Sequence, residues 1–240
     1  MATFKIALGA GHRLATPGKR CLKSLDPNET REWWLNDRIC DHIERLLKAY
    51  DGYELLRVDD TEGKKEISVT ARNNAANNWG ADFALAIHHN AGINGGAGGG
   101  IMAYVCKGVG KETTDWQKAL YDALIAHTGL KGNRADPLAV SNFQMLTGTK
   151  MPAVLLELGF MDSKTDVPVI LTDEYAVQCA EAIVEVLVER GGLTKKAAAK
   201  PGQRPVLYKV QVGAFDTRAA AERFKAELAA KGYKGFVVEA

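Results

Sequence analysis

Three short stretches put a group that can bind metal or move a proton at the end of an apolar run: GAGH at residues 9–12, AIHHN at 86–90 and VLLELGF at 154–160. Imidazole nitrogens are metal ligands and proton carriers near neutral pH. A lone carboxylate inside an apolar strand is hard to bury unless it is paired, bound to a metal or used in catalysis, and Glu157 is the residue of this chain to which that applies most strongly. His88 and His89 are adjacent on a short apolar run that reads as a buried strand, so their side chains point to opposite faces. At most one of them can enter a given site. The local residues leave open which one, and either serves equally well as a hydrogen-bonded structural histidine.

The elements that must position these groups alternate along the chain. TFKIALGAG reads as a strand, EWWLNDRICDHIERLLKAY as an amphipathic helix, YELLRV as a strand, ISVTARNNAANNW as a helix and DFALAIHH as a strand. GGGIMAYVC then reads as a strand, TDWQKALYDALIAHTG as a helix, PAVLLELGF as a strand and DEYAVQCAEAIVEVLVER as a final helix. This order predicts an α/β fold: a twisted, mostly parallel sheet with helices on both faces. Sites in such folds lie beyond the carboxyl ends of the strands. There the order of elements gathers His12, one of His88 and His89, and Glu157.

Composition narrows the function classes. The chain has 240 residues, 46% hydrophobic and 25% charged, which suits one full core and a small appendage. No stretch is long enough to span a membrane, and membrane insertion is not expected. The opening MATFKIALGAGH has an apolar run too short for a secretory signal, so synthesis in the cytoplasm without a signal peptide is the expectation. The four cysteines form no C-x-x-C pair, which argues for reduced thiols, with Cys40 and Cys179 as core residues. Residues 1–190 hold 21 basic and 25 acidic residues (net −4), and residues 191–240 hold 10 and 4 (net +6). A basic tail suits a polyanionic surface or a solvated linker. Aromatics are not interleaved with the basic residues, so no nucleic-acid partner is expected. Two phosphate-loop readings also fail, because Leu14 stands where a dinucleotide loop wants a third glycine and Arg20 where a Walker loop wants Ser or Thr. RGGLTKKAAAKPGQRPVLY marks a boundary, giving a body at 1–190, a linker at 191–205 and a small C-terminal βαβ module at 206–240.

Four segments in order, GAGH, ETREWWLND, ARNNAANNWGADFALAIHHNA and MPAVLLELGFMDS, resemble the zinc-dependent N-acetylmuramoyl-L-alanine amidases, enzymes of bacteria and their phages that cleave peptidoglycan. The resemblance covers about residues 3–190. It implies one zinc per chain on His12, Glu32 and His88, with Glu157 as the catalytic glutamate. Glu32 rather than Glu29 matches because Leu35 and Asn36 follow it at the family's spacing. Ala86 replaces the family's usual serine, His89 occupies a variable position where it can tune the site, and the first loop lacks the common double glycine. Arg72 and Asn90 match positions near the site and serve equally well as structural residues. His42 and His127 fall on helices as exposed or hydrogen-bonded histidines. Of Trp33 and Trp34, one is expected in the core and one in the groove. Two imidazoles and one carboxylate leave a tetrahedral zinc one open position, the pattern of catalytic sites. The implied reaction is hydrolysis of the bond between N-acetylmuramic acid and the stem peptide's L-alanine. The alternatives are a non-catalytic wall-binding protein and a zinc peptidase acting on other wall peptides.

The tail segment YKVQVGAFDTRAAAERFKAELAAKGYKGFVV resembles one half of a SPOR-type peptidoglycan-binding module. Half a module buries little apolar surface alone. The resemblance therefore implies cell-wall binding, docking on the body, or two chains pairing their tails in a homodimer.

Overall fold

The computed structural model describes residues 3–197, 212–230 and 233, which divide into two compact units, one running through Lys196 and one from Ala197. The first unit is built on a six-stranded sheet. Its strands are β1 (Phe4–Ala10), β3 (Tyr53–Arg57), β4 (Phe83–Asn90), β5 (Ile101–Val105), β6 (Leu138–Val140) and β7 (Ala153–Phe160), in the spatial order β3-β1-β4-β7-β5-β6. The first four in that order are mutually parallel; β5 is antiparallel to β7 and parallel to β6. A two-stranded ribbon, β2 (Tyr50–Asp51) with β8 (Thr194–Lys195), closes the first unit.

The strand period of two divides the sheet into unlike faces. Ile6, Leu8, Phe83, Leu85, Ile87, Val154, Leu156 and Leu158 form the large core. That core also takes in α1 (Glu32–Leu47), α3 (Lys111–Thr128) and α6 (Asp173–Gly191). Leu8 and Ile87 are fully buried, and each such side chain contributes about 1.5–3 kcal/mol relative to exposure. The other face carries small residues, Ala7, Ala84, Ala86 and Ala153, under α2 (Val69–Trp79) and the one-turn α4 (Gln144–Thr147). Small side chains keep that face shallow, and the covering elements are few, so the ends of the strands stay accessible there. A second short helix, α5 (Val167–Ile170), lies between β7 and α6.

Caps set the helix limits. Ser68 Oγ accepts from Ala71 N at the start of α2, and Gly80, at φ +71°, ends it. Thr172 caps α6 by accepting from Tyr175 N. The body reaches further than residue 190. Leu193 is buried, β8 pairs with β2, and Lys196 N donates to Ala49 O. Residues 191–196, which the composition assigns to the linker, are therefore part of the first unit.

In the second unit, α7 (Arg218–Ala230) starts beside Thr217, whose Oγ1 accepts from Ala220 N at 3.3 Å. The Phe215 and Phe224 rings meet at 5.2 Å. Tyr208 and Val210 of the expected first tail strand lie outside the described residues.

Candidate functional site

His12 follows β1, Glu32 opens α1 and His88 lies near the end of β4, so distant segments meet above the carboxyl ends of the parallel strands. Their ligand-capable atoms all lie within 4.8 Å of one another. Glu32 Oε1 is the common point, with His88 Nδ1 at 3.1 Å and His12 Nε2 at 3.4 Å. The two rings stand edge to face, with centroids 5.0 Å apart and planes at 88°.

The backbone around His12 is shaped for this meeting. A Cβ on Gly11 would sit 2.2 Å from the His88 ring, so glycine is required there by close approach. His12 itself is left-handed, at φ +64°, a conformation that a non-glycine residue holds only when its surroundings impose it. Arg72 supplies part of that constraint. Its guanidinium donates to the carbonyls of Ala10, of His12 at 3.1 Å and of Ile67 at 3.0 Å. Arg72 thus fixes the His12 loop through its backbone.

Charge states suit a metal. Burial pushes the His12 imidazole down to about 4, aided by His88, Lys19 and Arg72 and opposed by Glu32. It is therefore a free base at neutral pH, the form that ligates metal. Burial alone would raise the Glu32 carboxyl; the hydrogen bond and charge of His88, with His12 and Lys19, outweigh it and hold the group at about 2. Glu32 is fully buried, its Oε2 makes no hydrogen bond, and Lys19 Nζ stands 3.5 Å away. A buried carboxylate facing two imidazoles with one oxygen unspent fits a divalent cation. The donor set of two nitrogens and one oxygen is that of catalytic zinc sites, with one position left for water or substrate.

Glu157 completes the arrangement. On β7 it pairs in register with His88 of the parallel β4, so both side chains rise from the same face on neighbouring strands. The register slips just after His88, between His88 and Asn90, an irregularity of the kind that re-aims side chains near sites. Burial pushes the Glu157 carboxyl up to about 7, with His88 and Lys19 opposing and Glu32 reinforcing the shift, and Oε2 has no hydrogen-bond partner.

His89 points the other way, as the alternation of the strand requires. It is 2% exposed beneath α1, and its Nδ1 lies 2.7 Å from Asn36 Oδ1. Asn36 Nδ2 in turn donates to Gly11 O at 3.2 Å. The backbone N–H of His89 donates to Glu32 Oε1 at 3.2 Å. In the sequence Asn36 serves only to align the helix, but in the fold it ties His89 to the glycine under His88. Burial lowers the His89 imidazole to about 3. Below pH 6.5 the unfolded chain therefore takes up a proton there that the fold refuses, and stability is lost as pH falls from about 6.5 toward 3. We expect the stability advantage of the parent over His89→Gln to shrink by up to about 1.4 kcal/mol per pH unit through that window, measured by urea unfolding at several pH values. A constant difference would show that His89 is not buried neutral.

The remaining candidates make other contacts. Asn90 Oδ1 accepts from Ala91 N at 2.8 Å, closing the strand end. Trp33 is buried, while Trp34 is 45% exposed with the Arg38 guanidinium 4.5 Å over its ring. His42 pairs with Asp173 at 3.3 Å and His127 with Glu185 at 2.8 Å, away from the site. Sequence reasoning gave no role to Asp162. Its Oδ2 accepts from three successive backbone N–H groups, Gly92 at 2.8 Å, Ile93 at 2.8 Å and Asn94 at 2.7 Å. Asp166 Oδ2 likewise accepts from Gly100 N at 2.8 Å and Phe160 N at 2.9 Å. Together they anchor the loop AGINGGAGGG, residues 91–100, beside the site.

Residues 6–189 match the N-acetylmuramoyl-L-alanine amidase family, and residues 175–239 match the SPOR domain. The SPOR match thus takes in α6 as well as the tail. A sporulation-specific N-acetylmuramoyl-L-alanine amidase of Bacillus subtilis is 32% identical over 98% of this chain and 84% of its own. The N-acetylmuramoyl-L-alanine amidase CwlM of Bacillus licheniformis is 34% identical over 80% of this chain and 70% of its own. Among solved structures, an N-acetylmuramoyl-L-alanine amidase from Clostridium difficile superposes with a TM-score of 0.69 at 22% identity, over 79% of this chain and 97% of that one. That likeness bears on the fold.

Proposed function

Because the chain belongs to the N-acetylmuramoyl-L-alanine amidase family, we propose that His12, Glu32 and His88 hold its zinc and that Glu157 carries the proton. The enzyme hydrolyses the amide joining N-acetylmuramic acid to the L-alanine of the peptidoglycan stem peptide. The observation that carries the assignment is the convergence of those three ligands directly beside a register-paired, unpartnered carboxyl.

Zinc held there supplies Lewis acidity, polarising the scissile carbonyl and lowering the pKa of a water toward ~7. The protein's own part is proton transfer. Glu157 takes a proton from the attacking water as the carbon–oxygen bond forms, and gives it to the amide nitrogen as the carbon–nitrogen bond breaks. Burial raises this carboxyl in the metal-free protein and so favours proton uptake, while a cation bound beside it would oppose that shift. Arg72 and Gly11 keep the His12 loop in place while this happens. The products are a muramic acid carboxylate and a peptide with a free L-alanine amino group. A rise in free amino groups without new reducing sugars in digested peptidoglycan tests this bond assignment; new reducing ends would refute it.

The tail is proposed to act in wall binding and in pairing two chains. Support comes from the SPOR match and from the basic charge of residues 191–240. The first unit includes Lys196, so the informative truncation ends there. It is expected to cleave soluble muropeptides like the full chain, to pellet more weakly with insoluble peptidoglycan, and to sediment as a monomer where the full chain sediments as a dimer. Equal pelleting refutes the binding role, and a full-length monomer at micromolar concentration refutes the pairing. Among the described residues no helix is long and apolar enough to cross a membrane.

A further inference from the structure

The strand order gives the site a direction. His12 and His88 stand over β1 and β4, Glu157 stands on β7, and β5 and β6 lie beyond it. In amide hydrolysis the carbon that is attacked and the nitrogen that leaves are neighbours, and the nitrogen must be the atom nearest the proton donor. The nitrogen carries the stem peptide, and the carbonyl carries the muramoyl group.

We infer that the stem peptide leaves Glu157 across β5 toward β6, where the Tyr104–Phe143 ring pair and Arg134 form its subsite, while the muramoyl side lies toward β1. The inference rests on the assignment of Glu157 as proton carrier.

What lies on that side fits a peptide. Met102 of β5 pairs in register with Glu157, and Tyr104, two residues along, shares the same face. The Tyr104 hydroxyl donates to Met102 Sδ at 3.4 Å, and its ring meets Phe143 with centroids 5.3 Å apart. Phe143 is 41% exposed at the start of α4. An apolar ring held half in solvent against Tyr104, on the strand that pairs with the one carrying Glu157, offers a platform for side chains and backbone of an extended peptide. Arg134 is exposed, with its guanidinium 4.5 Å over the Phe160 ring, and its charge acts on the Tyr104 phenol. It is a cation placed to meet a carboxylate of that peptide. On the β1 side the corresponding guanidinium, that of Arg72, already donates to three backbone carbonyls.

The test compares two substrates on the zinc-loaded full chain, MurNAc-L-Ala amide and MurNAc-L-Ala-γ-D-Glu-L-Lys. Phe143→Ala and Arg134→Gln, both at exposed positions, are expected each to lower the ratio of kcat/KM for the longer substrate over the shorter by about 3- to 10-fold. They are also expected to weaken inhibition by the free tripeptide. Zinc content and melting temperature check that each variant is folded. An unchanged ratio overturns the inference, as does a discrimination loss that appears only when the glycan is lengthened. Hydrolysis by Glu157→Gln is a separate reading: if it persists, the proton-carrier assignment fails and the direction fails with it, whereas an inactive Glu157→Gln with an unchanged ratio overturns the subsite alone.

Discussion

Glu157→Gln is expected to lose hydrolysis by about 10²–10⁴-fold while keeping one zinc per chain and the same fold. The amide preserves the shape of the side chain and cannot accept the proton from water. None of the three ligands is touched, so elemental analysis should return unchanged zinc. Stability supplies an independent reading in the metal-free protein. The carboxyl is raised from 4.5 to about 7 by burial, so between those values the fold keeps a proton that the unfolded chain releases. Parent stability is thus lost as pH rises through that window. The Gln variant lacks this loss and should overtake or close on the parent between pH 4.5 and 7. Retained turbidity loss of cell walls by Glu157→Gln would remove the residue from the mechanism. Lost zinc would instead make it part of the metal site.

His88→Ala is expected to abolish zinc retention and hydrolysis together. Removing a group that merely orients a ligand costs about 10–100-fold in metal affinity, and removing a ligand itself should cost more. The comparison that gives this experiment its force is His89→Ala. His89 sits on the opposite face under α1, bonded to Asn36. Its loss leaves Asn36 Oδ1 buried without its donor, which destabilises by about 1–3 kcal/mol, and it should leave zinc binding in place at a temperature where the variant is folded. Zinc content and thermal melting separate the two histidines. If His89→Ala loses metal and His88→Ala keeps it, the assignment of strand faces is reversed.

The legible and illegible parts of this fold divide along physical lines. The alternating apolar runs gave the layered α/β architecture, because strand and helix periods are local properties. They also put His12, the His88–His89 pair and Glu157 at one end of one sheet, and the choice of His88 within that pair comes from the resemblance. Glu32 could be placed only through resemblance, since a helix-opening glutamate among several acidic residues carries no local mark of burial. The direction in which β5 and β6 run was not written in any local pattern; it depends on which edge each strand finds. With the phosphate-loop readings excluded, no local pattern sets a specific requirement at Gly11; that requirement comes from the His88 ring, a contact between residues far apart in the chain. The end of the body at Lys196 rather than near residue 190 has the same origin: the β2–β8 ribbon joins Tyr50–Asp51, which the pattern puts at the end of a helix, to Thr194–Lys195, which it puts in the linker.

The carboxylate of Asp162 has a kinetic corollary. Residues 91–100 include six glycines, and so many would ordinarily make a loop whose amides trade hydrogen with solvent almost freely. Three consecutive amides, those of Gly92, Ile93 and Asn94, are instead closed on one oxygen. Their exchange with deuterated solvent must wait for Asp162 to release them, so they should exchange together and slowly, as a strand does, while the amides of Gly95, Gly96, Gly98, Gly99 and Gly100, each bonded to another acceptor, should exchange independently of that carboxylate. The loop that follows the strand carrying His88 is thus assembled from the most pliable residue type and still holds one shape.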